Sequence, residues 1–349
     1  MTSIEQQPME PGAGNLGLTR RSYDRLYYNG RRVVRDVEYL IHRQVPWASQ
    51  RIEEGDAERV VGRFLLTQEQ LVETCHRSSI LRGNIEVAVP VGMHDGSPII
   101  MAMWALNRHN RRPLVSVDHM CHETDRLDGF HPDPLRRVES LRQQGFRFVR
   151  NPGRLSLDRI YDLWGPIFGW SQSDIEGLPR RFYAQEQLHA TERSVWFSAI
   201  VHGDDLVALS TAERLNLPLR RGVSVPIVES TEWCVDPRWE GRGLAAGCVS
   251  YLHAQIFSDL EMLDCPPVII AETNFMSRAD RVGYSSGMRI PPRWIEGIFV
   301  PQILCQNVSV GDGLSEAPLR DFTMMYIPPE HVRLMYAPEL CRQIRMEGI

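Results

Sequence analysis

An α/β fold is predicted for this chain: a C-terminal mixed sheet flanked by helices, preceded by a smaller α/β N-terminal domain. Two observations carry that expectation. From residue 146 onward, strand-like apolar runs alternate with helix-like stretches. Within that part, WCVDPRWEGRGLAAGCVSYL, beginning at Trp233, joins a strand end, a Val-Asp-Pro corner, a glycine-spaced loop and a helix start. The 349-residue length and 43% hydrophobic content leave room for two domains and a sizeable core.

Residues 1–18 read as a flexible arm, 19–145 as an N-terminal domain of unassigned role and 146–349 as the second domain. TQEQLVETCHRSSI predicts a helix with Thr67 as N-cap and Gln70 completing a capping box. Ile85 to Val91 reads as a buried strand and His94-Asp95-Gly96 as its turn. IIMAMWALNRHN then reads as a helix capped by Ser97, and PLVSVDHMCHE as a second strand, which together predict an α/β unit with parallel strands. DPLRRVESLRQQG is an amphipathic helix ended by Gly145.

The pattern then restarts. FRFVRN is strand-like, and LSLDRIYDLWGPIF and SQSDIEGLPRRFYAQEQLH are helix candidates. VWFSAIV and LVALSTAERL flank a hairpin turn at His202-Gly203-Asp204-Asp205. VSVPIVESTEWCV is a long strand. In the helix GLAAGCVSYLHAQIFSDL, Leu244, Cys248, Leu252 and Ile256 share one i+4 stripe. PPVIIAETN is a strand buried on both faces, SRADRVGYSSG a short helix closing at Gly287, and EGIFVPQIL and DFTMMYI two further strands before a helical tail.

The loop has a physical reading of its own. Amides at a helix start are unsatisfied and carry partial positive charge, and a diphosphate accepts from several at once. Gly241 and Gly243 remove the Cβ atoms that would block close approach. Arg238-Trp239-Glu240-Gly241-Arg242-Gly243, preceded by Val235-Asp236-Pro237, together with the element order after residue 146, resembles the GCN5-related N-acetyltransferase (GNAT) superfamily. The resemblance covers roughly the C-terminal 200 residues and implies an acyl-CoA cosubstrate, acetyl-CoA by default. It implies phosphate contacts from Arg238, Gly241, Arg242, Gly243, Leu244 and Ala245. It implies backbone contacts to pantetheine from Trp233, Cys234 and Val235, where the family splays its fourth and fifth strands.

Direct acyl transfer also needs a base for the amine and an acid for the departing thiolate. Glu229 and Glu232 are the base candidates, six and three residues before Val235. Period-two alternation puts them on opposite faces unless a bulge intervenes. The spacing of Glu229 matches the family's common base. Tyr284 is the acid candidate, or it packs against the sheet. It stands three residues before Gly287, whereas Gly283 holds the place where the family commonly has its tyrosine. Asn274 reads either as a cofactor contact or as a helix N-cap. Cys234 and Cys248 suit a covalent acyl-enzyme poorly, since nothing nearby in sequence marks an activating partner.

In the N-terminal part, His94-Asp95 and Asp118-His119, with Cys121, His122 and Glu123, read as a metal or acceptor site at strand ends, or as capping and turn residues; no metal is expected. A net charge of −5 gives no bulk drive toward nucleic acid or anionic membrane. Seven scattered cysteines without a C-x-x-C pair fit free thiols in a reducing, cytoplasmic setting. The acceptor is a small-molecule or protein amine, and the aromatic residues Tyr161, Trp164, Trp170, Phe182, Tyr183 and Trp294 are candidates for its pocket. The alternatives are a non-catalytic acyl-CoA-binding or assembly protein, and a transferase of the same fold using a carrier-protein or aminoacyl donor.

Overall fold

In a computed structural model, the described residues are 37–54, 59–94, 96–107, 116–128, 132–150, 155–168, 194–218, 224–260, 267–274, 278–307, 319–335, 341 and 344. The N-terminal arm and the helix expected within SQSDIEGLPRRFYAQEQLH lie outside them.

A helical segment begins at Val37 and passes a π-turn at Leu40–Gln44 into α1 (Val45–Glu53). β1 (Arg59–Thr67), α2 (Gln68–Arg77), α3 (Ser79–Asn84), β2 (Ile85–His94) and β3 (Ser97–Asn107) follow. The capping box at the start of α2 is present: Thr67 Oγ1 accepts from Gln70 N at 3.2 Å, and Gln70 Oε1 accepts from Thr67 N at 3.0 Å.

The parallel unit expected between residues 85 and 123 is not formed. β1, β3 and β2 make an antiparallel three-stranded sheet in that order. IIMAMWAL is its central strand rather than a helix. Ile100, Ala102, Trp104 and Leu106 are buried against the N-terminal helices, and Ile99, Met101, Met103 and Ala105 are buried on the opposite face. A run that is apolar on every face fits a strand buried on both sides as well as a helix. The Asp95-Gly96 pair between two such runs is the hairpin signal that separates them. His94 pairs with Ser97, and Gly96 has φ +82°. Residues 117–128 form α4 (Val117–Asp128), not a strand. Ser116 starts it, its hydroxyl accepting from His119 N at 3.3 Å, with Asp118 in the first turn.

After α5 (Pro134–Gln143) come β4 (Phe146–Val149), α6 (Leu157–Phe168), β5 (Val195–His202), β6 (Asp205–Pro218), β7 (Ser224–Val235), α7 (Leu244–Leu260), β8 (Val268–Asn274) and α8 (Arg278–Ser285). β9 (Trp294–Ile295), β10 (Ile298–Phe299), β11 (Ile303–Asn307), β12 (Leu319–Tyr326) and α9 (Pro329–Met335) complete the described elements. A seven-stranded sheet runs β11-β12-β8-β7-β6-β5-β4. Its only parallel pair among the described residues is β7 with β8. The single strand expected in EGIFVPQIL breaks at Gln302, which has φ 58°. Its amide oxygen accepts from Ala88 N at 3.0 Å and its amide nitrogen donates to Ala88 O at 2.9 Å, tying β2 to this segment.

Helices cover one face of the large sheet. Every residue of α7 but Ala245 is buried, so the single expected stripe widens to the whole circumference. Leu244, Cys248 and Tyr251 pack with α5 and β4–β6, while Leu252, Ile256 and Phe257 pack with β7, β8 and α8. On the opposite face, α6 covers one part through Ile160, Leu163 and Trp164. The three-stranded sheet covers another, with Val87, Val89 and Met101 against Leu215, Ile227, Ile270 and Met324. Among the described residues, no helix is long and apolar enough to cross a membrane.

Candidate functional site: a splayed strand pair beside a glycine loop

β7 and β8 pair from Ile227↔Val268 to Glu229↔Ile270 and no further, although β7 continues to Val235 and β8 to Asn274. The cause lies in β7. Against β6, Leu209 faces Cys234 and Thr211 faces Thr231, so Ser210 alone opposes Glu232 and Trp233. Glu232 takes up the extra residue with φ 58°. A bulge bends its strand and increases the local twist, which turns β7 away from β8. Trp164 Nε1 of α6 donates to the Glu232 carbonyl at 3.4 Å.

The bulge resets the side-chain alternation. Glu229 sits opposite Glu213 of β6. Glu232 Oε2 accepts from Thr211 Oγ1 at 2.9 Å. On β6, Leu209 packs with α6 and Leu215 with the three-stranded sheet, and Thr211 and Glu213 fall between them on the same face. Glu229 and Glu232 therefore share one face of the sheet. They form a polar stripe with Thr211 and Glu213 between two apolar clusters.

Trp233 lies on the other face, its indole Nε1 donating to Ser230 Oγ at 3.0 Å, and Ser230 Oγ lies 3.1 Å from His253 Nε2 of α7. His253 is fully buried, and burial pulls its pKa from 6.5 down to about 3. The folded ring is held neutral, so its contribution is complete above pH 6.5 and is lost as pH falls toward about 3. His253→Gln is expected to flatten the acid limb of a Tm-against-pH curve across that window. Acid limbs of equal slope in the two proteins would remove His253 as the cause.

The loop from Asp236 to Gly243 is anchored at three places. Asp236 accepts from Arg238 N at 2.9 Å and from its guanidinium, with Nη2 at 2.6 Å, which holds the Asp236 carboxyl below its ordinary pKa. Trp239 packs on His202 and Phe146, with ring centroids 4.9 and 5.7 Å apart. Glu240 pairs with Arg278 at the start of α8. Between these anchors and the helix, Gly241, Arg242 and Gly243 are exposed, and both glycines have positive φ, +79° and +76°. The Arg242 guanidinium lies 4.8 Å from the Trp239 ring centroid.

α7 begins at Leu244, and Gly247 N donates to Gly243 O at 3.0 Å, which makes Gly243 the N-cap. A serine or aspartate there would accept from the first amides; glycine supplies no acceptor of its own. The loop thus presents the amides of the α7 start beside exposed glycines, at the mouth of the splay.

The other sequence candidates are dispersed. Tyr284 is fully buried in the core with its hydroxyl closed off from solvent. At the neighbouring position, a Cβ on Gly283 would press on the Met325 thioether, and one residue later the ring turns into the core. Cys234 and Cys248 are buried, and burial raises both thiols, Cys248 to about 11. That disfavours the thiolate an acyl-enzyme needs. Asn274 ends β8 opposite Phe322. His119, Cys121 and His122 are exposed on α4 and stand at no strand end. The side chains of His94, Glu123 and Asn274, and residues Asp95, Trp170, Phe182 and Tyr183, lie outside the described residues.

No family model matches the chain, and no curated protein matches it. Solved structures do. A GNAT-family acetyltransferase from Streptococcus pneumoniae is similar at 8% identity and TM-score 0.36, over 52% of this chain and 98% of that one. Arabidopsis thaliana NAA60, solved in complex with acetyl-CoA, is similar at 13% identity and TM-score 0.34, over 52% and 97%. The spermidine/spermine N-acetyltransferase SpeG from Vibrio cholerae is similar at 12% identity and TM-score 0.34, over 54% and 96%. From Phe146 to Tyr326, strand order, the β7–β8 splay and the glycine loop opening α7 form a GNAT-like sheet.

Proposed function

We propose that this chain is an acyl-CoA-dependent N-acyltransferase, with acetyl-CoA as its default donor and an amine of a small molecule or a protein as acceptor. The observation that carries the reading is the β7–β8 splay lying directly before an exposed loop with a glycine N-cap. The loop offers amides to the CoA diphosphate. The last residues of β7, Trp233 to Val235, lie beyond the β8 ladder and offer backbone groups to the pantetheine amides.

The acceptor amine reaches the thioester from the face that carries Glu229, Glu232 and Thr211. Its lone pair attacks the carbonyl carbon, the C–S bond breaks, and the CoA thiolate leaves. A carboxylate takes the amine proton and solvent protonates the thiolate. Glu229 is the favoured base. Glu232, held by Thr211, positions its neighbours or relays through water.

Wild-type protein is expected to gain thermal stability with CoA and with acetyl-CoA, because a ligand bound only by the native state raises Tm. It is expected to release thiol from acetyl-CoA when offered a panel of amines. A shift with neither nucleotide overturns the reading. Binding without thiol release across small amines and peptides moves the chain to a non-catalytic acyl-CoA-binding role.

A further inference from the structure

The loop is flanked by a helix that the sequence places before the C-terminal sheet. α5 crosses the first turns of α7, burying Val138 and Leu141 beside Leu244 and Cys248. Gly247 permits that approach, because a Cβ there would collide with Leu141. One turn earlier on both helices stand Arg137 and Gly243. A Cβ at Gly243 would lie 3.5 Å from Arg137 Nη1, so the guanidinium rests against the N-cap glycine.

The arginines of the loop itself have partners within reach. Arg238 is bound by Asp236, and Arg242 lies over Trp239. Arg278, at the start of α8, pairs with Glu240. Arg137 differs. It is half-buried, and its Nε is shielded from solvent with no hydrogen-bond partner among the described residues. Burial disfavours its charged form, and Asp133 one turn away offsets this only in part. A guanidinium does not give up its proton in a protein. A bound anion would offset that cost. The amides of the α7 start add positive potential on the same side.

Resting on the acyl-CoA reading above, we infer that Arg137 is a diphosphate ligand contributed from outside the C-terminal sheet, clamping the anion against the α7 amides. A planar fork of donors beside a glycine N-cap suits a bidentate contact to phosphate oxygens. The N-terminal part of the chain thereby completes the nucleotide site.

Calorimetric titration of the full chain with CoA, 3′-dephospho-CoA and pantetheine tests this, for wild type, Arg137→Gln and Arg137→Lys. Arg137→Gln is expected to weaken CoA and dephospho-CoA by the same factor, about tenfold or more, and to leave pantetheine unchanged. Lysine is expected to recover part of the loss. Without ligand, the Gln variant is expected to melt at or above the wild-type temperature, since it buries no unmatched charge. CoA affinity within twofold of wild type in Arg137→Gln overturns the assignment and leaves the acyl-CoA reading standing. A loss confined to CoA and absent for dephospho-CoA moves Arg137 to the 3′-phosphate and also overturns it. A ligand-free Tm well below wild type makes Arg137 a structural tie instead. Wild type that binds none of the three overturns the acyl-CoA reading itself, and this assignment with it.

Discussion

Gly243→Glu is expected to abolish CoA binding while leaving the chain folded. The proposed phosphate site depends on an N-cap residue without a side chain. A glutamate there places a carboxylate where the diphosphate is proposed to sit. It is able to accept from the first amides of α7 and to face Arg137, whose Nη1 lies 3.5 Å from the Cβ position. The protein would supply its own anion and repel the ligand's. Binding is expected to weaken at least about 100-fold, or about 3 kcal/mol. The variant carries backbone strain of about 1–2 kcal/mol, because φ +76° suits glycine, and the new N-cap contact offsets part of it. Gly243→Ala separates the two effects. It carries the strain without the charge, and a Cβ at 3.5 Å from Arg137 is ordinary contact, so it is expected to bind CoA far better than the glutamate variant. Equal affinities in wild type and Gly243→Glu, by calorimetry, would place the nucleotide elsewhere.

Glu229→Gln is expected to leave CoA affinity within about twofold of wild type and to lower the rate of thiol release by about 100-fold or more, the range a positioned general base supplies. The amide is nearly isosteric and accepts no proton. The polar stripe between α6 and the three-stranded sheet keeps its shape, because Thr211 still donates to Glu232. Raising the pH is expected to recover part of the loss, since a larger share of the amine then arrives already neutral. An unaffected rate in Glu229→Gln, with a fall in Glu232→Gln, transfers the base role to the bulge residue.

What the sequence made readable is concentrated where local chemistry decides. Thr67 and Gln70 specify a capping box whatever surrounds them, and that box is present. Gly241 and Gly243 both take positive φ, which glycine tolerates without strain. Among the described residues from Phe146 to Tyr326, the strands and helices follow the expected order, since each carries its own period and its own turn residues, save that β9 is added and EGIFVPQIL divides into β10 and β11.

One misreading arose where tertiary packing decides. IIMAMWAL is apolar on every face because one sheet face meets the N-terminal helices and the other meets the large sheet. Without knowledge of those partners, the run passes for a buried helix. The other misreading was local: residues 117–128 form a helix that Ser116 caps, a signal inside a string that reads as β-branched and apolar.

The relation of Glu229 to Glu232 turned on a bulge, and a bulge is set by what the neighbouring strand opposes, in this case Ser210. Arg137 was out of reach for the same reason. Its helix reads as an ordinary amphipathic one, and only the crossing over Gly247 brings it to the loop. In hindsight, Arg137 with Leu141 and Gly243 with Gly247 show matching i,i+4 spacing on the two helices, but that pattern identifies a contact only once the helices are known to be neighbours.

A crystal structure of the full chain grown with CoA tests the central claim most directly. The diphosphate is expected within hydrogen-bonding distance of the amides that open α7, with the pantetheine arm running into the gap between β7 and β8. CoA ordered anywhere else, or this loop left without an anion at saturating CoA, would contradict it.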